Sequence, residues 1–515
     1  MGSSHRPLGI CIFLVLFHGC LSQITAPCMQ TQQPSRLSGR SDCQIDRIIA
    51  REPNRRVESQ AGVSEFFESF ENDELECAGV EAVRHTIYPK GLLLPYYPSA
   101  PELVYVVRGS GIQGTVLPGC PETFETSFPS GSGQQQFSDK HQKVYRYREG
   151  DILALPAGAV HWTYNDGETP IVTIVLRDTS NVANQLDRNF RKFFLAGNPQ
   201  SQQGQQPWGS QQRPSGSQGQ QADPCEVCRR LRGELVLDSP CAANCNKFTM
   251  QQGQADQGFN IFNGFDEEIL QLVFNVEYET VTKLQGQYDN RGLIVRADNF
   301  NVVVPDEQEQ QQFSPRGRGN GLEETLCSTQ LSANIASPTR ADVYNPRGGR
   351  VSKLNSFKLP VLNMLQLSAE RGVLYKNAVL APHYNLNAHS VIYITSGSSR
   401  LQIVRNDGSS VFDDVVREGQ LIVVPQDFAV IKKAGEQGCE WIAFKTNENA
   451  MTTQLAGRYS YIRELPEEVL ANSYDISRQQ AKSLKYNRQE GVVLSPQSGS
   501  TMTKAKNTLL SAIFG

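Results

Sequence analysis

The chain has 515 residues, 39 % hydrophobic and 20 % charged, ordinary for a globular protein and long enough for two or three domains. Its net charge is −4, with no basic block that would suggest a nucleic-acid partner. By segment the charge is about +1 over residues 1–22, −9 over 23–320 and +4 over 321–515, so an acidic stretch precedes a basic one.

The N-terminus reads as a secretory address. Arg6 precedes an apolar run from Leu8 to Phe17 that is too short to span a bilayer. Small residues at Cys20 and Ser22 place the cleavage between Ser22 and Gln23. No later stretch is apolar enough to cross a membrane. Of the 12 cysteines, Cys11 and Cys20 leave with the signal, and the other ten enter an oxidising compartment where pairing is the default.

Two segments echo each other. Glu102-Leu-Val-Tyr-Val-Val-Arg-Gly109 matches Ser390-Val-Ile-Tyr-Ile-Thr-Ser-Gly397, and Arg148-Glu-Gly150-Asp-Ile-Leu-Ala-Leu-Pro156 matches Arg417-Glu-Gly419-Gln-Leu-Ile-Val-Val-Pro425. β-branched runs punctuated by Gly and Pro are strand signals, and many at short spacing favour a barrel or jelly roll. Glu-Gly before a strand and Pro after it mark its two ends. Further β-rich runs follow at Ile171–Leu176 and Trp441–Phe444, each with a helical tail, around Asn181–Phe194 and Pro466–Tyr474. The expected fold is mainly β, with two jelly-roll barrels in one chain. The first copy carries an exposed insertion at about 121–140.

Residues 199–224, 251–258 and 307–320 are Gln/Gly-rich and lack the apolar content to fold. Between the first two lie Cys225-x2-Cys228 and Cys241-x3-Cys245. Four zinc-bound thiolates or a disulfide-stapled hairpin both fit that spacing, and the secretory compartment favours disulfides. Residues 263–287 contain an Asp266 cap ahead of a periodic apolar pattern, which predicts a helix.

Gly150-x5-Pro156-x-Gly158-x2-His161-x3-Asn165 resembles the second signature motif of the cupin superfamily at every position. Metal-binding cupins hold an ion with three imidazoles and a carboxylate. Counting back from Gly109 puts Glu102 at the carboxylate position, while Tyr, Pro and Ser fill the imidazole positions around Tyr96–Ser99. In the second copy His383 and Asn385 stand at the His-x-His pair, Ser390 at the glutamate, Asp427 at the motif glycine and Val430 at the last histidine. Each barrel keeps one histidine, and the second has no carboxylate. A lone ligand makes a poor first-row metal site, so no metal, no cofactor and no catalytic residue are expected. No nucleophile elbow, P-loop or His-Glu-x-x-His occurs either.

Asn320-Gly321-Leu322-Glu323-Glu324-Thr325-Leu326-Cys327 resembles the processing site of the 11S globulins (legumins), cut after Asn by asparaginyl endopeptidase. The resemblance covers most of the chain. It implies bridges that involve Cys43 with Cys77 and Cys120 with Cys327, trimers of the uncut precursor, and hexamers after cleavage. It also implies residence in the protein storage vacuole of a seed, and allergenic potential. The expected organisation is a signal over 1–22, a first barrel with the helical start of its extension over 23–198, and a variable insertion with the cysteine hairpin over 199–258. A helical extension over 259–306, a processing loop over 307–320 and a basic chain over 321–515, with the second barrel and a helical tail, complete it. Gln, Asn and Arg dominate the loops, which suits a nitrogen reserve. The runner-up is a metal-dependent cupin enzyme or a small-ligand-binding cupin.

Overall fold

Alternating apolar and polar side chains build the strands. In Val80–Ile87, Val83, His85 and Ile87 are buried, while Arg84 and Thr86 between them are half-buried. The computed structural model describes residues 43, 45–68, 73–122, 124–127, 138–185, 190–198, 260–286, 288–302, 327 and 329–496. Ser22 and Gln23, the cysteines at 225, 228, 241 and 245, and the Asn320–Gly321 bond lie outside the described residues. From Ile45 onward the chain forms one compact unit.

The first half carries two antiparallel sheets. One runs Arg55–Ser59, Gly62–Phe67, Val80–Ile87, Ile171–Asp178, Glu102–Arg108, Asp151–Leu155 and Ser332–Asn334. The other runs Lys192–Phe194, Gly91–Pro98, Val160–Tyr164, Ser110–Val116 and Val144–Arg148, with Ile294–Arg296 also on Gly91–Pro98. In the second half the long strands Ser390–Val404 and Ala429–Lys445 continue through both faces, so its strands form a single sheet. The two glycines singled out in each copy share one backbone state, with φ of +90° and +84° at Gly109 and Gly150 and +71° and +85° at Gly397 and Gly419. A Cβ on Gly150 would lie 2.2 Å from the Cβ of Ala336, so the turn needs glycine for space as well as for its left-handed backbone.

The halves exchange elements. Ser332–Asn334, from beyond residue 320, pairs with Asp151–Leu153 in the first barrel's sheet. In return, Arg51 bridges to Leu421 through two backbone hydrogen bonds of 2.8 and 2.9 Å, and the Ile48 N–H donates to the Val411 carbonyl. One apolar core crosses the junction, with Phe67, Leu103 and Ile174 joined to Val391, Tyr393 and Phe444. Reciprocal contacts flank it. Arg84 donates to the Tyr393 hydroxyl at 3.1 Å, and Arg371 to the Tyr105 hydroxyl at 3.0 Å.

Three expectations need correction. The helical tail around Asn181–Phe194 contains instead the strand Lys192–Phe194, paired with Tyr96–Pro98. Stacking of Phe193 on Tyr97, ring centroids 4.8 Å apart, rewards the extended edge and overrides local helix propensity. The 263–287 segment is two helices, Glu267–Phe274 and Tyr278–Gln285, because Asn275 turns left-handed (φ 52°) between them. Asp266 caps the first, accepting from the Ile269 N–H. The insertion at 121–140 holds a hairpin, Phe124–Ser127 with Ser138–His141. At the other end of the chain, Glu467–Tyr474 is helical as expected, and a second helix, Arg478–Tyr486, follows behind a Ser477/Gln480 capping box.

Candidate functional site

The cupin-motif positions face each other across the same strand pair in both halves. His161 on Val160–Tyr164 stands opposite Tyr96 on Gly91–Pro98, and His383 on Val379–Asn385 stands opposite Val430 on Ala429–Lys445. Each barrel thus retains the histidine the other has lost. The neighbouring pair is also shared: Arg177 lies opposite Glu102, and Lys445 lies opposite Ser390.

In the first barrel these residues form a closed cluster around one carboxylate. Glu102 is fully buried. Its Oε2 accepts from the Tyr96 hydroxyl at 2.9 Å and lies 3.3 Å from His161 Nε2, while its Oε1 accepts from Arg177 Nε at 3.2 Å. The Lys192 ammonium sits 4.0 Å above the Tyr96 ring. Burial alone would raise the Glu102 pKa. The His161 hydrogen bond and the charges of Lys192 and Arg177 outweigh it and hold the carboxyl well below its usual range.

This cluster answers whether a cupin metal would fit. The carboxylate that would bind the ion is already engaged by a phenol, an imidazole and a guanidinium. Arg177 and Lys192 place two positive charges where a cation would go. The residues of this cluster do not suit a metal.

The second barrel is built differently. No carboxylate comes from its motif, yet Glu370 on Ser368–Leu374 supplies one, only 6 % exposed. The expectation that this barrel lacks a carboxylate therefore holds only at the motif position. Three lysines surround Glu370. Lys445 donates to Asn385 Oδ1 at 3.0 Å, Lys432 sits 4.3 Å over the Trp441 ring, and Lys353 donates to Thr452 Oγ1 at 3.2 Å. Burial would raise the Glu370 pKa, but the charges of Lys445, Lys353 and Lys432 hold it down at about 2. Burial and the nearby Lys432 push His383 down to about 4, so its ring is neutral at pH 7, with Nδ1–H donating to the Ala381 carbonyl at 2.9 Å. Burial lowers Lys432 itself to about 8. Asp427, where the first copy has Gly158, takes the same left-handed backbone, φ 66° against 75°. Aspartate tolerates that state, so the turn survives the replacement.

Cys120 and Cys327 are joined by a disulfide with Cα atoms 5.5 Å apart, and Cys43 and Cys77 are each disulfide-bonded. Cys439 is a buried free thiol, pushed by burial up to about 12.

The cupin family model matches residues 49–201 and 333–482, one match per barrel. The 11S globulin seed storage protein 1 of Carya illinoinensis is 45 % identical, over 96 % of this chain and 97 % of its own. The crystal structure of pumpkin seed globulin superposes with a TM-score of 0.72 at 43 % identity, covering 89 % of this chain and 100 % of that one. The crystal structure of the coconut allergen cocosin gives 0.71 at 41 %, covering 88 % and 100 %. With two cupin barrels and full-length similarity of this order, the chain belongs to the 11S globulin family of seed storage proteins.

Proposed function

We propose that this storage globulin is a nitrogen reserve of the seed's protein storage vacuole, without catalytic activity, assembled as a trimer and cut after Asn320 by asparaginyl endopeptidase into acidic and basic chains. The observation that carries the processing reading is the set of links straddling residue 320. The Cys120–Cys327 disulfide and the pairing of Ser332–Asn334 with Asp151–Leu153 both join the two sides. A molecule severed between them stays whole, as a stored protein must. The glutamine-rich stretches 199–258 and 307–320 then serve as expendable insertions on a scaffold that tolerates them.

Two helix pairs, one per half, support the trimer. Leu272 is 82 % exposed on the first and Leu484 50 % on the second, within apolar faces that a monomer leaves uncovered. Hexamers formed after cleavage extend the same assembly. Absence of catalysis agrees with a first barrel whose only motif carboxylate is fully engaged.

Gels of the mature seed protein with and without reductant test the processing. Two bands on reduction are expected, with N-terminal sequencing giving Gln23 and Gly321. A single reduced band near full length overturns it. Size-exclusion of Leu272→Glu tests the trimer, which the variant should lose.

A further inference from the structure

The two barrels differ in what their interiors leave unsatisfied. In the first, each oxygen of Glu102 has a partner. In the second, a cavity of about 380 Å³ opens between the strands and the chain at Tyr459–Glu464, lined by Lys353, Glu370, His383, Gln454, Tyr459 and Tyr461 among others.

Three hydrogen-bond acceptors in its walls lack donors. Glu370 makes no hydrogen bond or ion pair among the described residues. Gln454 is 8 % exposed, and its Oε1 has no partner. His383 donates through Nδ1 to Ala381, which leaves Nε2 of the neutral ring as an acceptor. The buried Gln454 oxygen without a donor is costly, and Glu370 and His383 line the same cavity, so it is shaped for a molecule that brings N–H or O–H groups.

The charge points the other way. Lys353 lines the cavity and spends one of its three donors on Thr452. Lys432 and Lys445 are buried in the same barrel, 2 % and 4 % exposed, and among the described residues Glu370 is the buried carboxylate that acts on both. Glu464 also lines the mouth, but it is exposed and screened by solvent. An excess of buried positive charge favours an anion and opposes a simple cation or a metal ion.

We propose that the cavity of the second barrel binds a small organic acid carrying a hydroxyl or amino group, its carboxylate turned to Lys353 and its donor to Glu370 and Gln454. The site is an addition to the storage role and independent of cleavage at Asn320. In the first barrel the carboxylate Glu102 is already engaged by Tyr96, His161 and Arg177, so it offers no equivalent acceptor.

Calorimetry on the full chain tests this with four probes: glycolate, L-glutamate, acetate, which lacks the donor, and methylammonium, which lacks the anion. Glycolate and glutamate should bind, acetate about tenfold more weakly for want of one hydrogen bond to a charged group, and methylammonium not at all. Lys353→Met should abolish carboxylate binding while Lys353→Arg retains it, with near-ultraviolet circular dichroism confirming that both are folded. Glu370→Gln should narrow the gap between glycolate and acetate. Lys376→Met, whose ammonium pairs with Glu436 on the surface away from the cavity, should bind as the unmodified chain does. No heat with either substituted acid, binding of methylammonium in place of acetate, or binding indifferent to Lys353→Met would each overturn the proposal.

Discussion

The first barrel balances its buried charges by contact, the second at a distance. Around Glu102, the nearest atoms of Tyr96, His161 and Arg177 lie within 3.3 Å. Around Glu370 the lysines act only through their field. Arg177 and Lys445 stand at matching places, opposite Glu102 and Ser390, but the carboxylates Glu102 and Glu370 enter from different strands of otherwise similar barrels. Topology is therefore indifferent to how the interior charge is settled. Contact pairing closes a barrel, whereas field pairing leaves acceptors bare and space open.

The largest test of this contrast is Glu102→Gln. It leaves Arg177 and Lys192 buried without their carboxylate and should cost about 3–5 kcal/mol in urea unfolding. Glu370→Gln should cost clearly less, since no direct hydrogen bond is broken. Equal losses would erase the distinction.

Acid separates the barrels by pH. A histidine lowered to about 4 resists protonation in the folded state, while the unfolded chain takes the proton near 6.5. The unfolded state then binds more protons, and stability falls as pH drops from 6.5 toward 4. His383→Phe should remove that part of the loss, on the order of 1–3 kcal/mol, as unfolding curves across the window would show. Glu102 responds lower. Its depressed carboxyl contributes stability above the ordinary carboxylate range, near 4.3, and loses it as pH falls below that range. Glu370, held at about 2, contributes to the same limb, so Glu102→Gln and Glu370→Gln should each flatten part of it.

Alkali reads the second barrel through Lys432, while burial lowers Lys143 of the first half to about 8 as well. Lys432, lowered to about 8, gives up its proton in the folded state before the unfolded chain does near 10.4, so its contribution rises with pH between those values. Lys432→Met should remove the rise and at pH 7 be neutral or stabilising by up to about 2 kcal/mol. Loss of stability at pH 7 would mean that the lysine's contact with Trp441 outweighs its desolvation.

The smallest effects come from the helix caps, where the two halves should behave alike. Asp266→Ala and Ser477→Ala should each cost about 1 kcal/mol by thermal unfolding. A large difference would show that one helix pair is held by packing rather than by its cap.

Much of this was legible in the residues. The Glu-Gly…Pro brackets located the strands Asp151–Leu155 and Leu421–Val424, because turn chemistry is local. Counting from Gly109 and Gly150 put Glu102 and His161 in one cluster, because motif spacing survives even when the metal does not. Glu370 and Lys192 were invisible, since each enters a barrel from a strand without a motif, and Lys432, though two residues past Val430, is no motif position; all three act on residues far away in sequence. The extended Lys192–Phe194 was misread as helix because its pairing with Tyr96–Pro98 is a long-range reward that no local pattern displays.

The swapped segments bear on timing. Neither half holds a complete set of its own edges, since Ser332–Asn334 and the arm at Ile48–Arg51 each complete the other's surface. Tethered by one backbone, they meet at high effective concentration. Released beforehand, they would have to find each other as two separate solutes. On the proposed cleavage after Asn320, scission must therefore follow folding, and the cut protein would be a pair of complementing fragments that could be denatured together but not readily rebuilt from its parts.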